Sequence, residues 1–250
     1  MKKKLGQNFL TDKNVAIKEI QYANVKKNDV VLEIGPGKGV LTKILSEKAK
    51  KVIAIELDKR LFEELQKNMP DNVVLINNDV LDIDFNTLPR FNKIVSNLPF
   101  QISSPVTFKI LDYDFDLAVL IYQKEFADRM VAESGYKDYS RLSVGVYYKT
   151  FCEILEIVPK TCFRPQPKVD SCIVKLIPRE FPAFFVEDET FFLNFVKDLF
   201  SQRRKKIKNT LQSFYGFKNA DINYSDKRVE ELDPEQIGEL SNIVYSRIKK

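Results

Sequence analysis

Short apolar runs recur along the first half of the chain, separated by longer stretches in which apolar residues return every three or four positions. The pattern predicts strands over 30–34, 52–56, 73–77, 92–97 and 116–122, with helices between them. Strand and helix in regular alternation make βαβ units, so the class is α/β with a mostly parallel sheet. Two further strand-like runs, 151–158 and 171–177, follow without a long helix between them.

Pro178 and Pro182 bracket a stretch that reads as a linker, and beyond it the period turns helical. Over 190–200, Phe191, Phe192, Phe195 and Leu199 form one apolar stripe, which predicts packing against a core rather than base stacking. Asp233 followed by Pro234 reads as a helix cap with proline in the first turn. The chain therefore divides into a first domain over 1–179 and a smaller helical one over 180–250, with no internal repeat or low-complexity tract.

Candidate chemistry falls at the carboxyl ends of the predicted strands, where open α/β sheets bind ligands. The first strand runs into Glu33-Ile34-Gly35-Pro36-Gly37-Lys38-Gly39. Glycines at such a turn let backbone approach a ligand closely, and the following helix directs N–H groups toward it. The spacing Gly-x-Gly-x-Gly is one residue short of the dinucleotide pattern, and no Gly-Lys-Ser/Thr follows, so a nucleotide-type cofactor with a small polar tail fits better than a pyrophosphate. A plain tight turn would have the same composition. Glu56 ends the second strand, about 20 positions beyond Glu33, where a Rossmann-like fold places a ribose-binding carboxylate. Asp79 ends the third and can accept from an adenine amine, although exposed strand-end charge is the ordinary state of both acids. The fourth strand runs into Asn97-Leu98-Pro99-Phe100, which offers an amide oxygen, a carbonyl of Leu98 or Pro99 and a flat ring to one exocyclic amine. The plain alternative is a turn in which Pro99 ends the strand and Phe100 packs inward.

Composition narrows the chemistry. With no histidine in 250 residues, Ser-His, Cys-His and His-metal chemistry are all excluded, whereas methyl transfer from a sulfonium needs positioning more than a strong base. Cys152, Cys162 and Cys172 lack metal-binding spacing and read as reduced thiols, so no metal is expected. No apolar run approaches the ~20 residues of a membrane span, and Met1-Lys2-Lys3-Lys4-Leu5 is not followed by the apolar stretch of a signal peptide. A cytoplasmic protein without membrane contact is expected. The net charge of +5 decides little, but five of the six residues from Arg203 to Lys208 are basic: Arg203, Arg204, Lys205, Lys206 and Lys208. Such a run on a helix is either a solvated face or a set of phosphate contacts. Lys2, Lys3 and Lys4 read as a basic arm beside it or as a tail.

Taken together these residues resemble the class I S-adenosylmethionine-dependent methyltransferases. The strings Leu5-Gly6-Gln7-Asn8-Phe9-Leu10, Glu33 to Gly39, Asn97 to Phe100, Phe163-Arg164-Pro165-Gln166-Pro167-Lys168-Val169-Asp170-Ser171 and Ser201-Gln202-Arg203-Arg204-Lys205-Lys206 are similar, in order, to the small-subunit ribosomal RNA adenine dimethyltransferase family. The resemblance implies a Rossmann-like sheet with an antiparallel edge from 151–158 and 171–177, followed by a small C-terminal helical domain that binds RNA. It implies S-adenosyl-L-methionine as cofactor, held by Gln7, Asn8, Leu10, Gly35, Gly37, Gly39, Glu56, Asp79, Val80 and Asn97. It also implies transfer to the 6-amino groups of two neighbouring adenines in a small-subunit rRNA hairpin loop, with the pre-small ribosomal subunit as partner and the protein acting as a monomer. Asn97, Leu98 and Pro99 would orient the amine, Phe100 would stack on the base and Phe163 would close its other face. Many family members carry Tyr where this chain has Phe100, so stacking survives and any hydroxyl contact is lost. Three other readings share parts of the pattern: a large-subunit rRNA adenine methyltransferase of the erythromycin-resistance type, a DNA adenine methyltransferase, for which no target-reading domain is evident, and a non-enzymatic RNA-binding descendant of the fold.

Overall fold

The structure is a computed structural model that describes residues 7–217 and 222–249. The expected basic arm at Lys2, Lys3 and Lys4, and the Leu5-Gly6 part of the first motif, lie outside the described residues. The chain forms two compact units, Met1–Ala127 with Phe151–Pro178, and Asp128–Thr150 with Arg179–Lys250.

In the first unit the strands are β1 (Phe9–Leu10), β2 (Val30–Ile34), β3 (Lys51–Glu56), β4 (Val73–Asn77), β5 (Lys93–Asn97) and β6 (Leu117–Gln123). Helices α1 (Lys13–Tyr22), α2 (Val40–Lys48), α3 (Lys59–Gln66) and α4 (Ser103–Leu111) alternate with them, and α5 (Lys124–Met130) leads out of the unit. Each predicted strand of the alternating stretch appears within one residue of its expected bounds. Neighbours are parallel in the order β4-β3-β2-β5-β6, as the βαβ rhythm requires. After α6 (Arg141–Lys149) the chain adds β7 (Thr150–Val158), β8 (Phe163–Arg164) and β9 (Ser171–Pro178). β9 pairs antiparallel with β6, and β7 lies outside it at the edge.

The chain winds outward from β2 to β4 and then crosses back to β5, so β2 and β5 are neighbours whose connections leave in opposite directions. Their ladder is short, with Val31 opposite Lys93 and Leu32 opposite Ile94. Beyond it Ser96 takes over from the backbone: its hydroxyl accepts from Ile34 N–H at 3.2 Å and donates to Ile34 C=O at 2.6 Å. Both polar groups of Ile34 are thereby satisfied where the strands part, in a region with no solvent exposure at Ser96.

One small sheet was not predictable from periodicity. β1 and β8 pair antiparallel, Leu10 opposite Phe163 and Phe9 opposite Arg164, while Asn8 Nδ2 donates to Pro165 C=O at 2.7 Å. Strands of two residues carry no repeat to read.

The second unit differs from the expected division at 179/180, because the segment 128–150 belongs with the C-terminal helices. Tyr139, Val144 and Tyr148 pack into the same core as α7 (Glu189–Ser201), α8 (Ile207–Tyr215) and α9 (Pro234–Ile248). The helix boundaries are set by local chemistry. Asp188 caps α7 by accepting from Phe191 N–H, Gly216 ends α8 at φ +73°, and Asp233 with Gln236 forms a capping box ahead of Pro234 in α9. The expected linker is held as well: Arg179 and Ala183 N–H groups donate to Lys149 and Tyr148 carbonyls at 2.9 Å. Among the described residues no helix is long and apolar enough to cross a membrane.

Replacing Ser96 with Ala strands two buried backbone groups, so we expect a loss of about 1–3 kcal/mol in urea unfolding. A change within 0.5 kcal/mol, the usual size of a neutral surface substitution, would mean that Ile34 finds other partners.

Candidate functional site

Where β2 and β5 part, a cavity opens over their carboxyl ends, and a second continues from it past the end of β3. The two share Gln7, Gly35, Glu56 and Pro99 in their walls. The expected residues Gln7, Asn8, Leu10, Gly35, Gly37, Glu56 and Asn97 to Phe100 all border the first; Asp79 and Val80 border the second.

The glycine turn is bound to β3 at both ends. Gly35 N–H donates to Ile55 C=O at 2.8 Å, and Gly37 N–H donates to Glu56 Oε2 at 3.1 Å. Gly37 sits at φ +57°, and a Cβ there would lie 2.9 Å from the Phe9 ring, so no other residue keeps this turn closed under β1. Gly39 departs from expectation. It does not border either cavity; it precedes α2 at φ +74° and its Cβ position lies 2.7 Å from Leu65 and 2.8 Å from Met69. The left-handed backbone ahead of α2 is what calls for glycine there.

Three acids end up near the cavities in different states. Glu56 is buried, its Oε1 also accepts from Asp58 N–H at 2.8 Å, and burial lifts it above the usual carboxylate range against the pull of those N–H groups. Glu33, the first residue of the glycine motif and not among the expected cofactor contacts, borders the first cavity and is almost fully buried. Burial pushes its carboxyl up to about 8, with the Thr42 hydroxyl opposing and the Glu56 charge adding, so at neutral pH it holds its proton. Asp79 is half-buried and uses one oxygen to accept from Leu81 N–H at 2.9 Å, leaving the other toward the second cavity's wall.

Asn97 ends β5 with its Oδ1 sealed from solvent and without a hydrogen-bond partner. The next residues turn at once into a single 3-10 turn, in which Ile102 N–H donates to Pro99 C=O at 3.0 Å. That bond occupies one of the two carbonyls expected to face an amine and leaves Leu98 C=O as the freer acceptor. Phe100 is half-buried at the rim.

Phe163 does not stand at the opening. It is fully buried in the core of the first unit and meets Phe100 edge-on, ring centroids 6.2 Å apart. Its expected place on the other face of a base is corrected: pairing of Leu10 with Phe163 draws the ring inward, where it backs Phe100.

The basic run also departs from its expected helical form. Arg203 to Lys206 lie in the turn between α7 and α8 and Lys208 in the first turn of α8, and the members are not equivalent. Arg203 donates to Glu230 at 2.6 Å and to the carbonyls of Lys137 and Tyr136 at 2.6 and 3.2 Å, so it ties loops of the second unit together. Lys206 and Lys208 share Asp226 at 3.1 and 2.8 Å. Arg204 and Lys205 are exposed.

A model of the ribosomal RNA adenine dimethylase family matches residues 1–246, nearly the whole chain. The chain belongs to the ribosomal RNA adenine dimethylase family. Among curated relatives of this dimethylase, a "Probable ribosomal RNA small subunit methyltransferase A" of Methanococcus aeolicus is 48% identical over 249 residues, covering 98% of this chain and 90% of its own. A protein of the same description from Methanosarcina acetivorans is 45% identical, covering 96% and 92%. Among solved structures, a dimethyladenosine transferase from Plasmodium falciparum superposes with a TM-score of 0.78 at 29% identity, over 96% of this chain and 98% of that one. The 23S rRNA methyltransferase ErmE gives 0.64 at 26% identity, over 97% and 100%. Both neighbours are rRNA or adenosine methyltransferases, and the dimethylase sheet is thus a Rossmann-like class I sheet.

If Phe163 is core, replacing it with Ala should cost about 3–5 kcal/mol of unfolding free energy, and Leu far less. Unchanged stability with Ala would return the ring to the ligand side.

Proposed function

We propose that this chain transfers methyl groups from S-adenosyl-L-methionine to the 6-amino groups of two adjacent adenines in a hairpin loop of small-subunit rRNA, during ribosome biogenesis. The observation that carries the reading is the sealed, unpartnered Oδ1 of Asn97 at the wall of a cavity that glycine backbone and buried carboxyls also border. A buried acceptor left without a donor costs about 1–3 kcal/mol, a deficit that an N–H donor from a ligand removes. The relatives described as small-subunit methyltransferases, at 45–48% identity across almost the whole chain, favour small-subunit RNA over the large-subunit reading.

The residues present fit the cofactor. Gly35 and Gly37 expose backbone where a side chain would collide with Pro99 or Phe9, and Glu56 and Asp79 each retain lone pairs beyond their backbone bonds. In this reading Glu56 accepts from ribose hydroxyls, Asp79 and Val80 receive the cofactor's base, and Gln7, Asn8 and Leu10 cover the cleft from β1. When bound, S-adenosylmethionine supplies an electrophilic methyl group on a sulfonium.

The exocyclic amine of adenine is a weak nucleophile because its lone pair is delocalised into the ring. Asn97 Oδ1 and Leu98 C=O, accepting its two N–H bonds, hold the pair out of conjugation and aim it. Phe100 stacks on the base, which must leave its helix to reach this depth, and Phe163 stiffens Phe100 from behind. The amine becomes cationic and acidic once methylated, so its proton leaves to carbonyl or water, and no histidine is needed. For a second transfer one N–H remains, enough for one of the two acceptors.

RNA is held on this reading by the exposed members of the basic run, Arg204 and Lys205, with Lys206 and Lys208 available at the expense of their shared Asp226. Arg203 serves the fold of the second unit instead. On this reading the partner is the small ribosomal subunit precursor, and the protein acts on it in the cytoplasm as a monomer.

Incubation with labelled S-adenosylmethionine and unmethylated small subunits, followed by nucleoside analysis, should give dimethyladenosine in small-subunit RNA. Label in large-subunit RNA would overturn the substrate. Asn97→Ala should cut methyl transfer by roughly two decades or more while cofactor affinity stays within a few fold, since the contact is made mainly in the transition state.

Changing Arg204 and Lys205 together to Gln should flatten the log–log salt dependence of RNA binding by about 1.5 units, near 0.7–0.9 per phosphate contact. Parallel salt lines would move the RNA grip elsewhere.

A further inference from the structure

Between α5 and α6 the chain makes a loop, 133–138, whose backbone is tied down almost residue by residue. Gly135 N–H donates to Glu230 C=O at 2.8 Å, Tyr136 N–H donates to Glu133 C=O at 3.3 Å, and the Tyr136 carbonyl accepts from Tyr139 N–H at 3.1 Å. Arg203 completes the clamp, donating to the Tyr136 and Lys137 carbonyls while Glu230 meets its charge. Tyr139, at the foot of the loop, is buried in the helical core. The Tyr136 side chain nevertheless stands 67% exposed. A ring so placed adds little to the core, yet the clamp presents it without the ordering cost of a mobile loop.

The charge around this ring suits a polyanion. Arg203 joins the loop to the basic run, in which Arg204 and Lys205 are exposed, and Lys137 is exposed next to the ring. The run is joined in turn to 225–228: Ile207 and Lys208 N–H groups donate to the Lys227 and Ser225 carbonyls at 2.8 and 2.9 Å, and Lys206 pairs with Arg228 in an isolated β-bridge. Acids in these segments are engaged, Glu230 by Arg203, Asp226 by Lys206 and Lys208, and Glu231 by the Arg228 N–H. Glu133 and Asp138, at the two ends of the loop, are outnumbered by Lys137, Arg204, Lys205 and Arg228. Two other exposed rings of this unit lack such a setting. Phe185 is followed by Glu187, Asp188 and Glu189, the wrong sign for a polyanion, and Tyr147 is engaged by Glu235 and Arg179.

An aromatic face among cations has the makeup of a single-strand contact, in which the ring stacks on an unpaired base and the cations take the phosphates beside it. We propose that Tyr136 stacks on an unpaired base of the RNA and that Lys137 holds a neighbouring phosphate, extending the grip of Arg204 and Lys205. The inference rests on the reading of the substrate as RNA, and adds to it an unpaired nucleotide recognised besides the adenine in the cleft.

The chain contains no tryptophan, so Tyr136→Trp places a single reporter at the ring. Its emission should be quenched when the full chain is titrated with a mixed-sequence single-stranded RNA oligonucleotide, and should barely change with a duplex of the same length, whose bases are already stacked. Tyr136→Ala should weaken single-strand binding about fivefold or more, the lower end for one stacked base. Its log–log salt line should run parallel to that of wild type, because no charge is lost, whereas Lys137→Gln should flatten the line by about 0.7. Tyr136→Phe, which keeps the ring, should bind like wild type. Thermal unfolding should not move, since the ring is exposed; if Ala shifts it, Tyr136→Leu takes its place, keeping bulk without an aromatic face. An unquenched reporter on bound RNA, or Ala and Leu variants binding as tightly as wild type, overturns the proposal and leaves the RNA reading intact. Wild type that binds no single-stranded RNA overturns it too, and the methyl-transfer assay on small subunits then judges the substrate reading by itself.

Discussion

The parting of β2 and β5 at their carboxyl ends is the feature on which the rest depends. Two parallel strands whose connections run to opposite sides leave a crevice that no helix covers, and the backbone groups exposed there need partners. Ser96 supplies both for Ile34, which lets the strands separate without orphaning a buried peptide. Everything of chemical interest follows within a few residues of that point. Ile34 is succeeded by the glycine turn, Ser96 by Asn97, and the adjacent strand ends in the carboxylate that binds the turn in place.

Polar groups around the crevice are held by backbone more than by one another. Glu56 accepts from two main-chain N–H groups, Asp79 from one, and the Pro99 carbonyl is engaged by its own turn. Main-chain donors do not rotate away, so these acceptors are oriented before any ligand arrives, which lowers the ordering cost of binding. Against that background the few sealed atoms without partners stand out. Asn97 Oδ1, Glu33 Oε2 and the two oxygens of Glu19 all lie in the first unit, and two of the residues border the same cavity.

The second unit shows how poorly a charge run predicts a charged surface. Of five basic side chains within six residues, one is spent on loop carbonyls and Glu230, and two converge on a single aspartate. Arg204 and Lys205 are left exposed in the turn. The fold of that unit depends instead on aromatic packing, with Phe192 and Phe195 of α7 wholly buried.

The sequence by itself determined the long strands, the mostly parallel sheet, the Asp233–Pro234 helix start and the positions of Gly35, Gly37, Glu56, Asp79 and Asn97 at or beyond strand ends. These rest on local chemistry: period-two and period-3.6 burial, positive φ at glycine, and acids or amides at strand ends. Tertiary structure decided what local chemistry cannot. Phe163 is core because a two-residue strand pairs it with Leu10, far away along the chain. Gly39 lies against Leu65 of α3 and Met69 beyond it, Arg203 against Glu230, and 128–150 against the helical core, and in each case the partner lies well outside the window in which a repeat or motif can be read. Glu33 could have been added to the site from sequence, since it stands next to last in β2, just ahead of the glycine turn. That Glu19, a lone acid on the stripe of α1, is wholly sealed from solvent was invisible there, because only the packing of α1 against the rest of the first unit decides it.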